Sequence, residues 1–242
     1  MEVWIASGFI VLFAYFARGI TGFGSGLIAV PLLALLHPLT TVVPLVLITD
    51  VTASVVMGGE TRRHIRWGEI RALLPGSLMG VVLGVTLLIN LPKQPLLTAL
   101  GIIVLIFGVR STLNIHGNKQ ICRWWAGPAG LAGGTIGALF GTGGPPYVIY
   151  LSHRLLDKAQ LRATFSGLFL IDGAFRIVAF LIAGLLLRPE LQWPLAAALP
   201  LMVLGLYFGH RVHIGITPAQ MLRLIGLLLI VSGTSLLWKA WH

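Results

Sequence analysis

Residues 23–33, FGSGLIAVPLL, and residues 140–151, FGTGGPPYVIYL, are two versions of one Gly-rich phrase in an otherwise apolar chain. Each interrupts a hydrophobic run where a membrane helix wants uninterrupted Leu and Val. Glycine allows backbone conformations that other residues resist, and proline removes a hydrogen-bond donor. Both phrases therefore read as programmed helix breaks.

The surroundings of these breaks set the class of protein. The 242 residues are 57% hydrophobic and 10% charged, with a mean hydropathy of +0.93. A soluble domain of this length carries roughly a quarter charged residues. Apolar segments recur from one end to the other and leave no room for a separate soluble domain. Runs such as LLTALGIIVLIFGV (96–109) and LRLIGLLLIVSGTSLL (222–237) are continuous, without the alternation of a membrane β-barrel. The expected fold is an all-α integral membrane protein. The single cysteine, Cys122, rules out an intramolecular disulfide and a cysteine-based metal cluster. Neither a cofactor nor a metal is expected. The opening MEVWIASGFI has no basic flank and no small-residue cleavage site, so it reads as the first membrane helix.

The net charge of +10 is gathered in short loops. Arg62, Arg63, His64, Arg66 and Arg71 share one; Arg110, His116, Lys119 and Arg123 a second; His153, Arg154, Lys158 and Arg162 a third. Arg211 lies in a fourth, between His210 and His213. Basic loops between apolar spans are a topology signal, whereas nucleic-acid binding wants a basic face on a soluble fold. Loops 59–71, 111–123, 153–162 and 210–218 are expected in the cytoplasm, and 91–94 and 188–192 outside.

The two halves, 1–115 and 123–242, align as membrane repeats. Pro75, Gly80, Gly84, Gly101 and Gly108 reappear 125 positions later as Pro200, Gly205, Gly209, Gly226 and Gly233. Asp50, in LITDVT, falls against Asp172, in FLIDGA. Each half reads as five apolar segments: near 3–18, 24–37, 39–58, 72–90 and 95–110, then 124–140, 145–152, 163–187, 193–209 and 219–238. The second segment of each half is short for a crossing, so eight to ten segments are expected, with broken or re-entrant helices at the Gly-rich motifs. An odd number per repeat inverts the second half, and the loop charges obey this. Inverted repeats with discontinuous helices are the architecture of secondary transporters.

These residues also carry a family resemblance. GITGFGSGLIAVPLLALL (19–36) and TDVTASVVMGGETRRHIRWGEIRALLPGSLMGVVLG (49–84) resemble the first half of the sulfite exporter TauE/SafE family. GGTIGALFGTGGPPYVIYLSHRLLDKAQLRATFSG (133–167) resembles its second half. The resemblance covers essentially the whole chain. It implies a transporter, not an enzyme, that exports small sulfur-containing anions such as sulfite or an organosulfonate across the bacterial cytoplasmic membrane. The family's first motif is usually richer in glycine; here Ser25 replaces one and adds a hydroxyl.

An anion inside a membrane needs fixed donors and positive charge in place of its hydration. Backbone N–H groups at a helix break supply both. The candidate translocation site is therefore Thr21, Gly22, Gly24, Ser25 and Gly26 from one repeat, with Gly141, Thr142, Gly143, Gly144 and Pro145 from the other. Close helix packing through small residues explains the same glycines more blandly. Arg18, Asp50, Asp172 and Arg176 lie within apolar segments, where an ionisable group is a functional candidate by default. Asp172 and Arg176 are four apart and can pair; a free Arg176 suits an oxoanion. Arg18 either serves the anion from the other repeat or reaches to the interface. A carboxylate taken out of water holds its proton more tightly, so Asp50 and Asp172 are candidates for proton coupling, with helix-packing hydrogen bonds as the alternative. The expected partners are a small sulfite-like anion and the lipid bilayer, with protons as a coupling ion; nucleic acid is excluded, and monomer and homodimer both stay open. Two rival classes stand beside the transporter: an anion channel, and an intramembrane hydrolase using Ser25. The latter lacks the G-x-S-x-G elbow, because Phe23 stands where the first glycine belongs.

Overall fold

Helix is what an apolar chain must form in a bilayer, since only internal hydrogen bonds satisfy its backbone there. The computed structural model describes residues 2–21, 24–57, 64–113, 121–141, 143–155, 157–211 and 218–241. The described residues form ten α-helices and no strand. The first half holds α1 (Glu2–Thr21), α2 (Ser25–Ala34), α3 (Leu39–Met57), α4 (Trp67–Asn90) and α5 (Lys93–Leu113). After a single 3-10 turn at Arg123–Trp125 come α6 (Ala126–Phe140), α7 (Gly144–Arg154), α8 (Lys158–Ile182), α9 (Pro189–Arg211) and α10 (Pro218–Trp241).

Among the described residues, six stretches are long and apolar enough to cross a membrane: Glu2–Ile20, Leu39–Val56, Trp67–Asn90, Lys93–Thr112, Ala163–Ile182 and Pro189–Arg211. The 10 residues of α2 and 11 of α7 are not. At 1.5 Å per residue each covers about 15 Å, half of the roughly 30 Å hydrocarbon layer. Helix α8 begins before the apolar segment expected at 163–187 and ends at Ile182. A turn with Gly184 at φ 70° follows, so the last apolar residues of that segment leave the helix.

The most extensive contacts join α4 to α6, α5 to α10 and α1 to α9. Glycines make the first and last of these possible. A Cβ on Gly84 would stand 2.6 Å from the Thr135 carbonyl oxygen, and one on Gly205 would stand 2.7 Å from that of Leu12. Bare backbone thus lies on backbone, the usual way membrane helices gain packing energy without a hydrophobic drive. Contact runs from Gly76–Gly127 to Gly84–Thr135 along α4 and α6, and from Gly205–Leu12 to Gly209–Phe16 along α9 and α1. Both pairs are therefore parallel. Gly101 meets Gly233 and Gly108 meets Gly226, so α5 and α10, the fifth helix of each half, run antiparallel. All seven tryptophans are exposed, near helix ends, where an aromatic belt places them.

The seam yields a test of sign. Gly84→Leu gains about 1 kcal/mol of helix propensity, while overpacking costs typically 1–3 kcal/mol and more against rigid backbone. The variant should lose folded yield and melt several degrees lower in detergent. Gly127→Ala, whose Cβ meets nothing within 4 Å, should not. A Gly84→Leu protein that melts at or above the parent temperature removes the seam from the account.

Candidate anion-binding site

Both breaks turn on a left-handed glycine. Gly24, at φ 93°, precedes α2, and Gly141, at φ 64°, ends α6. An L side chain resists that conformation, which is why glycine stands there. Gly143 leads into α7, whose first turn takes Pro145, where a missing N–H costs nothing. Neither α2 nor α7 has a side-chain cap; the first-turn amides of α2 are left to other partners, while in α7 Pro145 and Pro146 carry no N–H and Gly144 supplies the first-turn donor.

The breaks touch. A Cβ on Gly26 would lie 2.7 Å from the Gly141 carbonyl oxygen and 3.2 Å from Asp50 Oδ2. Ser25, Gly26, Gly141, Gly143 and Pro145 are all buried in this contact zone, with Gly24 and Gly144 partly so. Thr142 and Gly22 lie outside the described residues, as does the Thr21 side chain.

A buried charge centre flanks each break. In the first, Arg18 Nη1 donates to Asp50 Oδ1 at 2.8 Å and to Ser25 Oγ at 3.0 Å, while Nη2 donates to Ser54 at 2.6 Å. Tyr15 and Ser25 also donate to Asp50 Oδ1, at 2.7 and 2.6 Å. In the second, Arg176 Nη2 lies 2.9 Å from Asp172 Oδ2. Ser77 and Tyr147 donate to Asp172 Oδ1 at 2.5 and 3.0 Å, and Arg176 Nη1 donates to the Gly137 carbonyl at 3.1 Å. The guanidinium also faces the Phe169 ring at 5.7 Å. All four charged residues are buried, with Asp172 wholly out of contact with solvent. The Nε–H groups of Arg18 and Arg176 are buried with no hydrogen-bond partner among the described residues.

The structure thus brings together Arg18, Ser25 and Asp50 around one break, and sets Asp172 with Arg176 behind the other. Both arginines are paired, so the free Arg176 weighed from the sequence is not what the resting molecule holds, and Arg18 is buried rather than reaching to the interface. The Ser25 hydroxyl is engaged by Asp50 and Arg18, not by a histidine. Asp50 draws its cation from α1, and Thr49 shares the Tyr15 hydroxyl with it instead of bonding to it. His37 lies away from this centre, against Ser7 at 2.8 Å and Trp4; burial and the charge of Lys239 push its imidazole below the ordinary value. Among the described residues no cluster of His, Cys, Asp or Glu could hold a metal.

Tyr15, Ser54, Ser77 and Tyr147 escaped the sequence reading. Tyr15 had a signal, three positions before Arg18 and so on the same face of α1. The seam contacts show what hid Ser54. Gly205 and Gly209 meet Leu12, Phe16 and Gly19, while Gly80 and Gly84 meet Leu131, Thr135 and Ala138, a constant separation of 119 positions. On that correspondence Arg18 matches Gly137, and with Asp50 matched to Asp172, Ser54 matches Arg176. Arg18 reaches Ser54, and Arg176 reaches Gly137. Arg18 and Arg176 thus stand at positions that this spacing does not match to one another.

Known proteins show which family the chain falls in. The family model described as "Sulfite exporter TauE/SafE" matches residues 7–236. A relative from Comamonas testosteroni, "Probable inner membrane transporter protein TsaS", is 32% identical over 201 residues, 82% of this chain and 83% of its own. Another from Cupriavidus necator, "Probable sulfite/organosulfonate exporter TauE", is 27% identical over 230 residues, 91% of this chain and 88% of its own. No solved structure matches. With its apolar helices and a family match over nearly its whole length, the chain is a multi-pass membrane protein that belongs to the sulfite exporter TauE/SafE family of transporters.

Proposed function

We propose that this protein exports a sulfite-like anion or small organosulfonate by alternating access, through a site where the two helix breaks meet. The observation that carries the proposal is the contact of Gly26 with the Gly141 carbonyl, which sets two uncapped short helices at one place between two buried Asp–Arg centres. Uncapped helix N-termini are ready anion sites, and here they replace the water that the anion loses. The two halves act as inverted repeats on this reading. Antiparallel packing of α5 on α10, and the exchange of α1–α9 for α4–α6, support it. One bundle rocks against the other and opens the site alternately to each side. An inward-negative potential drives anion exit by about 2.3 kcal/mol per charge per 100 mV. The basic loops face the cytoplasm of a bacterial inner membrane. A continuous channel is less well served by one chain with two matched halves.

The pairing of both arginines favours a coupled variant of this cycle. An incoming anion meets centres that are already neutral, so it gains a guanidinium only when an aspartate lets go. Protonation of Asp50 or Asp172 does that; the anion takes the carboxylate's place at the arginine, and the aspartate returns its proton when the anion leaves and the pair closes again.

Removing one member of a buried pair costs about 3–5 kcal/mol, so single arginine deletions confound folding with function. The double variant Arg176→Gln with Asp172→Asn leaves no buried charge at that centre and should stay folded. In proteoliposomes at fixed potential it should lose saturable sulfite flux at least tenfold relative to wild type; undiminished flux would place the site elsewhere. A second comparison isolates coupling. Asp50→Asn and Asp172→Asn, singly and together, compared only where folded yield and melting temperature match the parent, should flatten the dependence of flux on pH, and a folded double variant with the parental pH profile eliminates proton coupling.

A further inference from the structure

A cavity of about 660 Å³ lies where α4 begins, α7 ends and α8 begins, on three of the basic loops. Arg66, Arg123 and Arg154 line it, against Glu69 and Asp157, with Gln160 beside them. Its arginines are held on a frame. Arg66 Nε donates to Gln160 at 2.8 Å, Arg123 Nη2 to the Gly68 carbonyl at 2.7 Å, and Arg154 Nη2 to Glu69 Oε1 at 2.9 Å. Tyr150 donates to the other Glu69 oxygen at 2.6 Å, so α7 is tied twice to the first turn of α4. Arg154 Nε is buried and has no hydrogen-bond partner among the described residues.

We propose that this cavity is a second oxoanion site, separate from the helix breaks, in which a bound anion competes with Glu69 for Arg154. Three guanidinium groups against two carboxylates leave the cavity cationic. Arginine presents paired N–H donors that match the oxygens of sulfite, sulfate or phosphate. The first turns of α4 and α8 open onto the same space and add the positive ends of two helix dipoles. A volume of this size admits a small anion with its remaining water. The cavity and the break sit at opposite ends of α7, about 16 Å apart by helix length. An anion that draws Arg154 from Glu69 loosens the outer end of the helix whose inner end forms the central site. On the transport reading, on which this role depends, the cavity collects substrate at the cytoplasmic mouth and its filling releases one of the two ties that hold α7 to α4.

Cys122 makes the test direct, because it is the sole cysteine of the chain, exposed, and next to Arg123. A thiol-attached fluorophore there, on the whole protein in phosphatidylcholine nanodiscs, is titrated with sulfite, sulfate and inorganic phosphate at constant ionic strength. A saturable response is expected, with the apparent Kd at least tenfold weaker in both Arg66→Gln and Arg123→Gln. Glu69→Gln, which removes the competitor, should bind about tenfold tighter, an outcome that a purely structural Glu69 would not produce. A response seen only in nanodiscs containing phosphatidylglycerol, and weakened by the same arginine variants, assigns the oxoanion to a lipid headgroup instead of a soluble anion. A silent probe in both lipids, or one indifferent to both arginine variants, overturns the proposal. Flux and probe separate the two readings: a protein that moves no sulfite but titrates at Cys122 keeps this site and loses the transport assignment.

Discussion

A buried charge in a membrane must be matched, and most of what is particular to this molecule follows from that demand. Among the described residues four charged side chains sit out of water, and each arginine finds an aspartate within 2.9 Å. Pairing alone does not complete either centre. Tyrosine and serine hydroxyls from neighbouring helices also donate to one oxygen of each carboxylate, so each centre knits several helices together. Leaving one partner behind would strand a charge where nothing screens it.

Hydroxyl and carboxylate can meet in this way only because the helices approach closely. Glycine seams between α1 and α9, and between α4 and α6, bring backbone against backbone at the edges of the bundle. The same economy of side chain operates at the breaks, where Gly26 leaves room for the Gly141 carbonyl. Larger residues would push the halves apart and remove the junction.

Much of this was legible in the chain itself. Continuous apolar runs announce helices, the repeated Phe-Gly phrase marks both breaks, and Asp50, Asp172, Arg18 and Arg176 stand out as charges in apolar text. Asp172 and Arg176 even disclose their pairing through helical spacing. The Arg18–Asp50 bond, by contrast, joins residues 32 apart on different helices, and no local period encodes it. Tyr147 was hidden for a similar reason: its hydroxyl meets Asp172 across the junction of α7 and α8, a contact that depends on how the break is folded. The cavity on the basic loops was equally out of reach, because Arg66, Arg123 and Arg154 converge from three loops that charge counting treats only as topology signals.

The unmatched arginines make the two halves unequal in a way that a tally of matched residues conceals. Arg18 belongs to α1, the helix that runs directly into its own break, while Arg176 is carried by α8, a 25-residue helix separated from the other break by α7. One centre therefore carries its cation on the helix that leads into the break, and the other carries it on a helix beyond the break.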